Sequence, residues 1–146
     1  MLLSKACEYG LRAALYLASL DDDGYVSIRT ISDRLDISFT FLTKIFQQLN
    51  EAGLSESHRG PNGGVAFTRS TDAITLYEIV VAIDGEALFE ECVLGLPNCG
   101  TDTPCPIHER WTEERGRLEG LFKQHTLDDM ASRIKDFDVR LVATPS

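Results

Sequence analysis

The stretch Ser27-Ile-Arg-Thr-Ile-Ser-Asp-Arg-Leu-Asp-Ile-Ser-Phe-Thr-Phe-Leu-Thr-Lys-Ile-Phe-Gln-Gln-Leu49 decides the fold. Ser27 is a good helix N-cap, and Ile28, Ile31 and Leu35 recur at the three- and four-residue spacing of one helical face. Asp36-Ile37 breaks that pattern. Ser38 opens a second helix in which Phe41, Leu42, Ile45, Phe46 and Leu49 point inward, and Gly53 stops it. Two short helices across so short a break form a helix-turn-helix. Leu54 to Arg59 then reads as a strand, Gly60-Pro-Asn-Gly-Gly64 as a dense turn, and Val65-Ala-Phe-Thr68 as the returning strand. A hairpin placed directly after a helix-turn-helix is the layout of a winged helix.

Upstream, Ser4 to Leu20 predicts a helix with Leu11, Ala14, Leu15 and Ala18 on its inner face, ended by the acidic turn Asp21-Asp22-Asp23-Gly24. Downstream, Ile74-Thr75-Leu76 leads into a helix over Tyr77–Ile83 that Gly85 closes. Residues 86–106 have little periodicity and hold Cys92, Cys99 and Cys105; a loop of that length is usually functional. A helix follows from Ile107 to about Gln124, with Ile107, Trp111, Leu118, Leu121 and Phe122 as an apolar stripe. Thr126-Leu-Asp-Asp129 resembles a capping box and opens a last short helix. The expected architecture is mainly α with a small β-hairpin wing. It comprises a winged helix-turn-helix domain (1–85), a cysteine-bearing sensor loop (86–106), and a dimerisation helix with a C-terminal tail (107–146).

The chain has 146 residues, 43% hydrophobic and 25% charged, which is the size and composition of one soluble domain. No stretch approaches the ~18 apolar residues of a membrane span. The N-terminal MLLSKACEYG meets charge early, so neither a signal peptide nor a membrane partner is expected, and the expected location is the cytoplasm. The net charge of −9 argues at first against nucleic acid. It is unevenly placed, however. Residues 1–70 carry seven Lys/Arg against eight Asp/Glu, whereas residues 71–146 carry seven against fifteen. The acidity belongs to the C-terminal half, and a basic edge on the N-terminal half is compatible with DNA.

With the apolar residues of the second helix facing the core, Ser38, Thr40, Thr43, Lys44 and Gln47 fall on its outer side. Hydroxyls, an amine and an amide suit phosphates and base edges in a major groove. Arg59 beside Gly60, Pro61, Asn62, Gly63 and Gly64 makes a slim basic wedge for a minor groove. Cys92, Cys99 and Cys105 have the spacing C-x6-C-x5-C, and His108 follows. Thiolates suit an iron–sulfur cluster or zinc, but the paired C-x2-C knuckles of structural zinc sites are missing, and redox thiols without metal form a third reading. His108 is a candidate fourth ligand, and Glu8 on the first helix is a candidate carboxylate from a partner subunit; Cys7 reads as a small buried hydrophobe. The helical stripe of 107–124 calls for a cover, for which a two-fold mate is the simplest choice. No nucleophile elbow, P-loop or dinucleotide fingerprint is present, so no enzyme is expected. The rival reading is a zinc- or thiol-containing module that binds a protein partner, with the helix pair as scaffold.

The chain resembles the Rrf-two family of winged-helix transcription regulators, which includes the IscR, NsrR and RirA proteins. The likeness covers nearly the whole length. It rests on Leu3-Ser-Lys5 with Tyr9, Ile31-Ser-Asp-Arg-Leu-Asp-Ile-Ser38 and Phe41-Leu-Thr-Lys-Ile-Phe46, and on the wing Arg59-Gly-Pro-Asn-Gly-Gly64. Ile74-Thr-Leu-Tyr-Glu-Ile79 and Cys92…Cys99…Cys105-Pro-Ile-His108 complete it. The resemblance implies a homodimer crossed through the long C-terminal helix, two winged helices on a near-palindromic operator, and repression as the usual action. It also implies a [2Fe–2S] or [4Fe–4S] cluster on Cys92, Cys99 and Cys105. His108 matches the fourth ligand of one branch, and Glu8 matches the acidic partner-subunit ligand of another. Other members carry no cluster.

Overall fold

The structure, a computed structural model, describes residues 2–20, 24–98, 100, 102–137 and 141–142. Helix α1 (Lys5–Ser19) is capped by Ser4, whose hydroxyl accepts the Cys7 amide at 3.0 Å. The acidic turn Asp21-Asp22-Asp23 expected after it lies outside the described residues. Helices α2 (Ile28–Leu35) and α3 (Phe39–Glu51) begin at the two serines read as caps: Ser27 accepts from Thr30 N and Ser38 from Phe41 N, both at 3.3 Å. Between them Asp36 takes a left-handed conformation, φ 55° and ψ 49°, that ends α2 and turns the chain.

Strands β1 (Ser55–His58) and β2 (Gly64–Phe67) pair antiparallel with Ser55 opposite Phe67 and His58 opposite Gly64. Val26 forms a separate bridge to β2 through Val26 N–Val65 O at 3.0 Å and Val65 N–Val26 O at 2.8 Å. A single 3-10 turn (Thr71–Ala73) leads to α4 (Leu76–Asp84), capped by Thr75 and closed by Gly85 at φ 76°. The rest comprises α5 (Ala87–Glu90), α6 (His108–Gln124) and α7 (Leu127–Phe137).

The core lies where α1 meets α3, α4 and α7, with Ile31, Leu42, Ile45, Phe46, Leu49, Val65, Ile74, Ile79 and Leu127 buried. The inner face of α1 differs from the sequence expectation. Cys7, Gly10, Ala13, Ala14 and Leu17 are buried, while Leu11, Leu15 and Ala18 are only half-buried. The reason is close approach: a methyl on Gly10 would strike the end of Ile83 and sit 3.3 Å from Ile45 Cγ2. Small residues therefore take the contact line and larger ones its rim. Helix α5 interrupts the loop expected over 86–106; it exists because Phe89 is buried beside Cys7 and Val80 and packs on Phe122 at 5.7 Å between ring centroids.

The last segment divides in two. Helix α6 has no buried residue, whereas α7 returns to α1. The predicted capping box forms, with Asp129 N donating to Thr126 Oγ1 at 3.1 Å and Thr126 N to Asp129 Oδ2 at 3.4 Å. No helix among the described residues is long and apolar enough to cross a membrane.

Candidate functional site

Burial of Leu42, Ile45, Phe46 and Leu49 fixes the rotation of α3. Ser38, Thr40, Lys44 and Gln47 are exposed on its outer face, as their spacing predicts. Thr43 is half-buried and its hydroxyl donates to the Phe39 carbonyl at 2.9 Å, so that hydroxyl is engaged within the helix. The sequence reading missed a neighbour on this face. The Arg29 guanidinium of α2 lies over the Phe39 ring at 4.2 Å, and both side chains are exposed. Arg29 is the second residue of α2, and the first helix of a helix-turn-helix crosses the backbone of the duplex.

The wing tip closes through Gly63 N donating to Gly60 O at 2.9 Å, and Arg59, Gly60, Pro61 and Asn62 are exposed. The turn needs its glycines. Gly60 has φ 115° and Gly64 φ 152°. A methyl on Gly63 would collide with the His58 carbonyl, and one on Gly64 with that of Val26. The wing's angle to α3 is set by Asn50, whose Nδ2 donates to Ser57 Oγ at 2.7 Å and whose Oδ1 accepts from Ser55 Oγ. Tyr25 supports the other edge, stacking on His58 at 5.1 Å and donating to Glu56 Oε1 at 2.9 Å. Among the described residues, the exposed Arg29, Lys44 and Arg59 form no ion pair.

The second candidate site joins α5 to α6. Cys92 follows α5 directly and is 7% exposed; Cys105 is half-buried, and the two sulfurs lie 3.6 Å apart. The Leu94 amide donates to Cys92 Sγ at 3.4 Å. Backbone N–H groups of Leu96, Leu94 and Gly95, with the Cys105 thiol, hold the Cys92 thiol below its ordinary range against the opposing effect of burial. Cys99 lies outside the described residues. His108 begins α6, its amide donating to the Cys105 carbonyl at 3.1 Å, and it shares with Cys105 an open groove of about 600 Å³. Glu8 lies on α1, paired with Lys5 at 3.6 Å, and does not line that groove. Among the described residues, no three His, Cys, Asp or Glu side chains converge as a metal site.

Trp111, expected as part of an apolar stripe, also has a polar task. Its indole N–H donates to the Glu91 carbonyl at 2.9 Å, and Arg115 Nη1 donates to the Glu90 and Glu91 carbonyls at 2.6 and 3.1 Å. Together they satisfy the open carbonyl end of α5 and fasten the residue before Cys92 to α6. Ile107 and Leu121 remain 45% and 51% exposed.

A helix-turn-helix with a glycine-tipped, basic wing defines a DNA-binding regulator of the winged-helix class. Residues 3–133 match the Rrf2 family, described as iron-dependent transcriptional regulators. The chain is 30% identical over 139 residues to the HTH-type transcriptional regulator IscR of Escherichia coli, covering 95% of this chain and 85% of that protein. The fold matches CymR, the global cysteine regulator of B. subtilis, with a TM-score of 0.76 at 28% identity, covering 89% of this chain and 95% of the other. It matches T. potens IscR with a TM-score of 0.74 at 23% identity, covering 94% and 91%. The chain therefore belongs to the Rrf2 family of transcriptional regulators. These relatives are regulators, not enzymes.

Proposed function

We propose that the chain acts in the cytoplasm as a homodimeric repressor on a double-stranded DNA operator, and that its affinity is governed by an iron–sulfur cluster or the redox state of Cys92, Cys99 and Cys105. The observation that carries the reading is the Cys92–Cys105 sulfur pair, held at the junction of α5 and α6 by Trp111 and Arg115. The donor set fits such a group. Two thiolates on one tetrahedral metal with bonds of about 2.3 Å lie about 3.8 Å apart, close to the 3.6 Å found here. An amide aimed at the sulfur is a partner suited to a coordinated thiolate.

Cys92, Cys99 and Cys105 would hold the cluster, [2Fe–2S] or [4Fe–4S], with His108 of the same chain or Glu8 of the partner subunit as the remaining ligand. Such a group would supply a local charge and redox chemistry at these thiols. The chain's own residues do the rest. Trp111 and Arg115 carry a displacement of Cys92 into α6, and the exposed Ile107 and Leu121 give α6 an apolar seam for a second copy. On the DNA side, Lys44, Gln47, Ser38 and Thr40, with Thr43 and the wing residues Arg59 to Gly64, form the contact surface. A coupling of about 1–3 kcal/mol between loop and operator is typical of such switches.

The test is anaerobic purification followed by iron, acid-labile sulfide and zinc analysis, with operator titrations of loaded and stripped protein across salt concentrations. Near-equal iron and sulfide, lost in Cys99→Ser, together with unequal operator affinities, is the expected result. A colourless zinc protein, or equal affinities in both states, overturns it.

A further inference from the structure

We infer that the metal-free chain closes a Cys92–Cys105 disulfide when it meets a hydroperoxide. The inference rests on reading the loop as the sensing site, but its covalent step needs only two sulfurs and an oxidant.

Three features of the fold pair these two cysteines. Their sulfurs already touch at 3.6 Å, so an approach of about 1.6 Å reaches the bond length of about 2.0 Å. Both backbones are held: the carbonyls of Glu90 and Glu91, just before Cys92, by Trp111 and Arg115, and the Cys105 carbonyl by the His108 amide that opens α6. Access is unequal. Cys105 lines the open groove of about 600 Å³ beside His108 and Pro106, whereas Cys92 is buried. Cys7, the fourth thiol, is 0% exposed and packs with Val80 and Phe89, so it offers no competing partner.

The chemistry balances with the peroxide as the only added reagent. The Cys105 sulfur, the more accessible of the two, attacks a peroxide oxygen, the O–O bond breaks, and the thiol proton passes to the leaving oxygen, giving a sulfenic acid and water or alcohol. The Cys92 sulfur then attacks the Cys105 sulfur, the S–O bond breaks, and a second water leaves with the Cys92 proton. Two thiols lose two electrons in total and the peroxide gains them. The product withdraws two of the three cysteine ligands, so oxidised protein cannot take up a cluster until a thiol reductant reopens the bond.

The test uses the full metal-free chain, hydrogen peroxide, and intact mass spectrometry after denaturing alkylation. The expected result is a loss of about 2 Da and two alkylated thiols in place of four, reversed by dithiothreitol. Cys99→Ser should keep the loss, whereas Cys92→Ser and Cys105→Ser should abolish it. In oxidised Cys99→Ser, cleavage before Asp102 should leave the Cys92 and Cys105 peptides joined. A disulfide that survives in Cys105→Ser, or one absent from Cys99→Ser whose thermal unfolding matches the unmodified chain, overturns the inference. So does a single thiol gaining oxygen with no bond formed. Absence of iron from the anaerobic protein would count against the cluster reading alone and leave the disulfide result standing.

Discussion

Gly64→Ala tests how the wing is anchored. Gly64 has φ 152°, a conformation that costs a residue with a Cβ about 1–3 kcal/mol. The added methyl would also strike the Val26 carbonyl and approach Ser27 N at 2.7 Å. Those atoms belong to the segment that Val65 pairs through two hydrogen bonds of 3.0 and 2.8 Å. Backbone atoms cannot rotate aside as a side-chain terminus does, so the rung must open, at about 0.5–1.5 kcal/mol for each bond. The expected loss of unfolding free energy is therefore about 2–6 kcal/mol. Gly60→Ala supplies the control. Its φ is 115°, but nothing lies within 4 Å of the new methyl, so only the backbone cost applies. Urea unfolding followed by far-ultraviolet circular dichroism, at one fixed protein concentration, should place Gly64→Ala below Gly60→Ala by about 1–3 kcal/mol. Equal losses in the two variants would refute the claim that the wing hangs on the Val26–Val65 rung.

Other perturbations follow from the same structure. Arg59→Ala should weaken operator binding across sequences and lower the salt slope by about one for each wing removed, measured by fluorescence anisotropy over a salt series; an unchanged slope would take Arg59 off the phosphate backbone. Ser4→Ala removes the cap of α1 and a hydroxyl donor to Asp84, and should cost about 1–2 kcal/mol in the same urea assay; a loss near zero would mean that water replaces both. Burial, then the negative charge of Asp84, pushes the Cys7 thiol from 9.0 up to about 12. Because the folded value is raised, its stabilisation is complete below pH 9 and disappears as pH rises toward 12. Over that interval the chain should lose stability more steeply than Cys7→Ala, and parallel pH curves for the two would exclude the effect.

The helix-turn-helix was legible because its signals are local. Ser27 and Ser38 cap their helices, the apolar residues of α3 keep one face, and the glycines of 60–64 sit where a turn requires them. The inner face of α1 was not legible, because several elements press on it at once and select small residues, whereas the sequence pattern weights large ones. Helix α5 escaped for a different reason: four residues carry no periodicity, and its stability comes from burying Phe89 and from carbonyl partners on a helix some twenty residues later. Trp111 looked purely apolar since nothing in its spacing betrays the Glu91 carbonyl. Cys92 and Cys105 could be read as neighbours from their place on one loop, and their sulfurs lie 3.6 Å apart; Cys99 lies outside the described residues. The choice between His108 and Glu8 was not legible, because Glu8 could reach the loop only from a second chain.

The return of α7 has a mechanical consequence. Thr75 and Thr126 form a bridge, with Leu76 N bonded to His125 O at 3.0 Å and Leu127 N to Ile74 O at 2.9 Å, and Leu127 is fully buried against the DNA-reading body. Helix α6 is thereby fixed at its C-terminal end, and Trp111 and Arg115 fasten its other half to the end of α5. Seventeen residues make a shaft of about 25 Å, and a swing of about 10° over that length moves its tip by about 4 Å. That travel, at the end of α6 next to Cys105, is comparable to the 3.4 Å step between neighbouring base pairs.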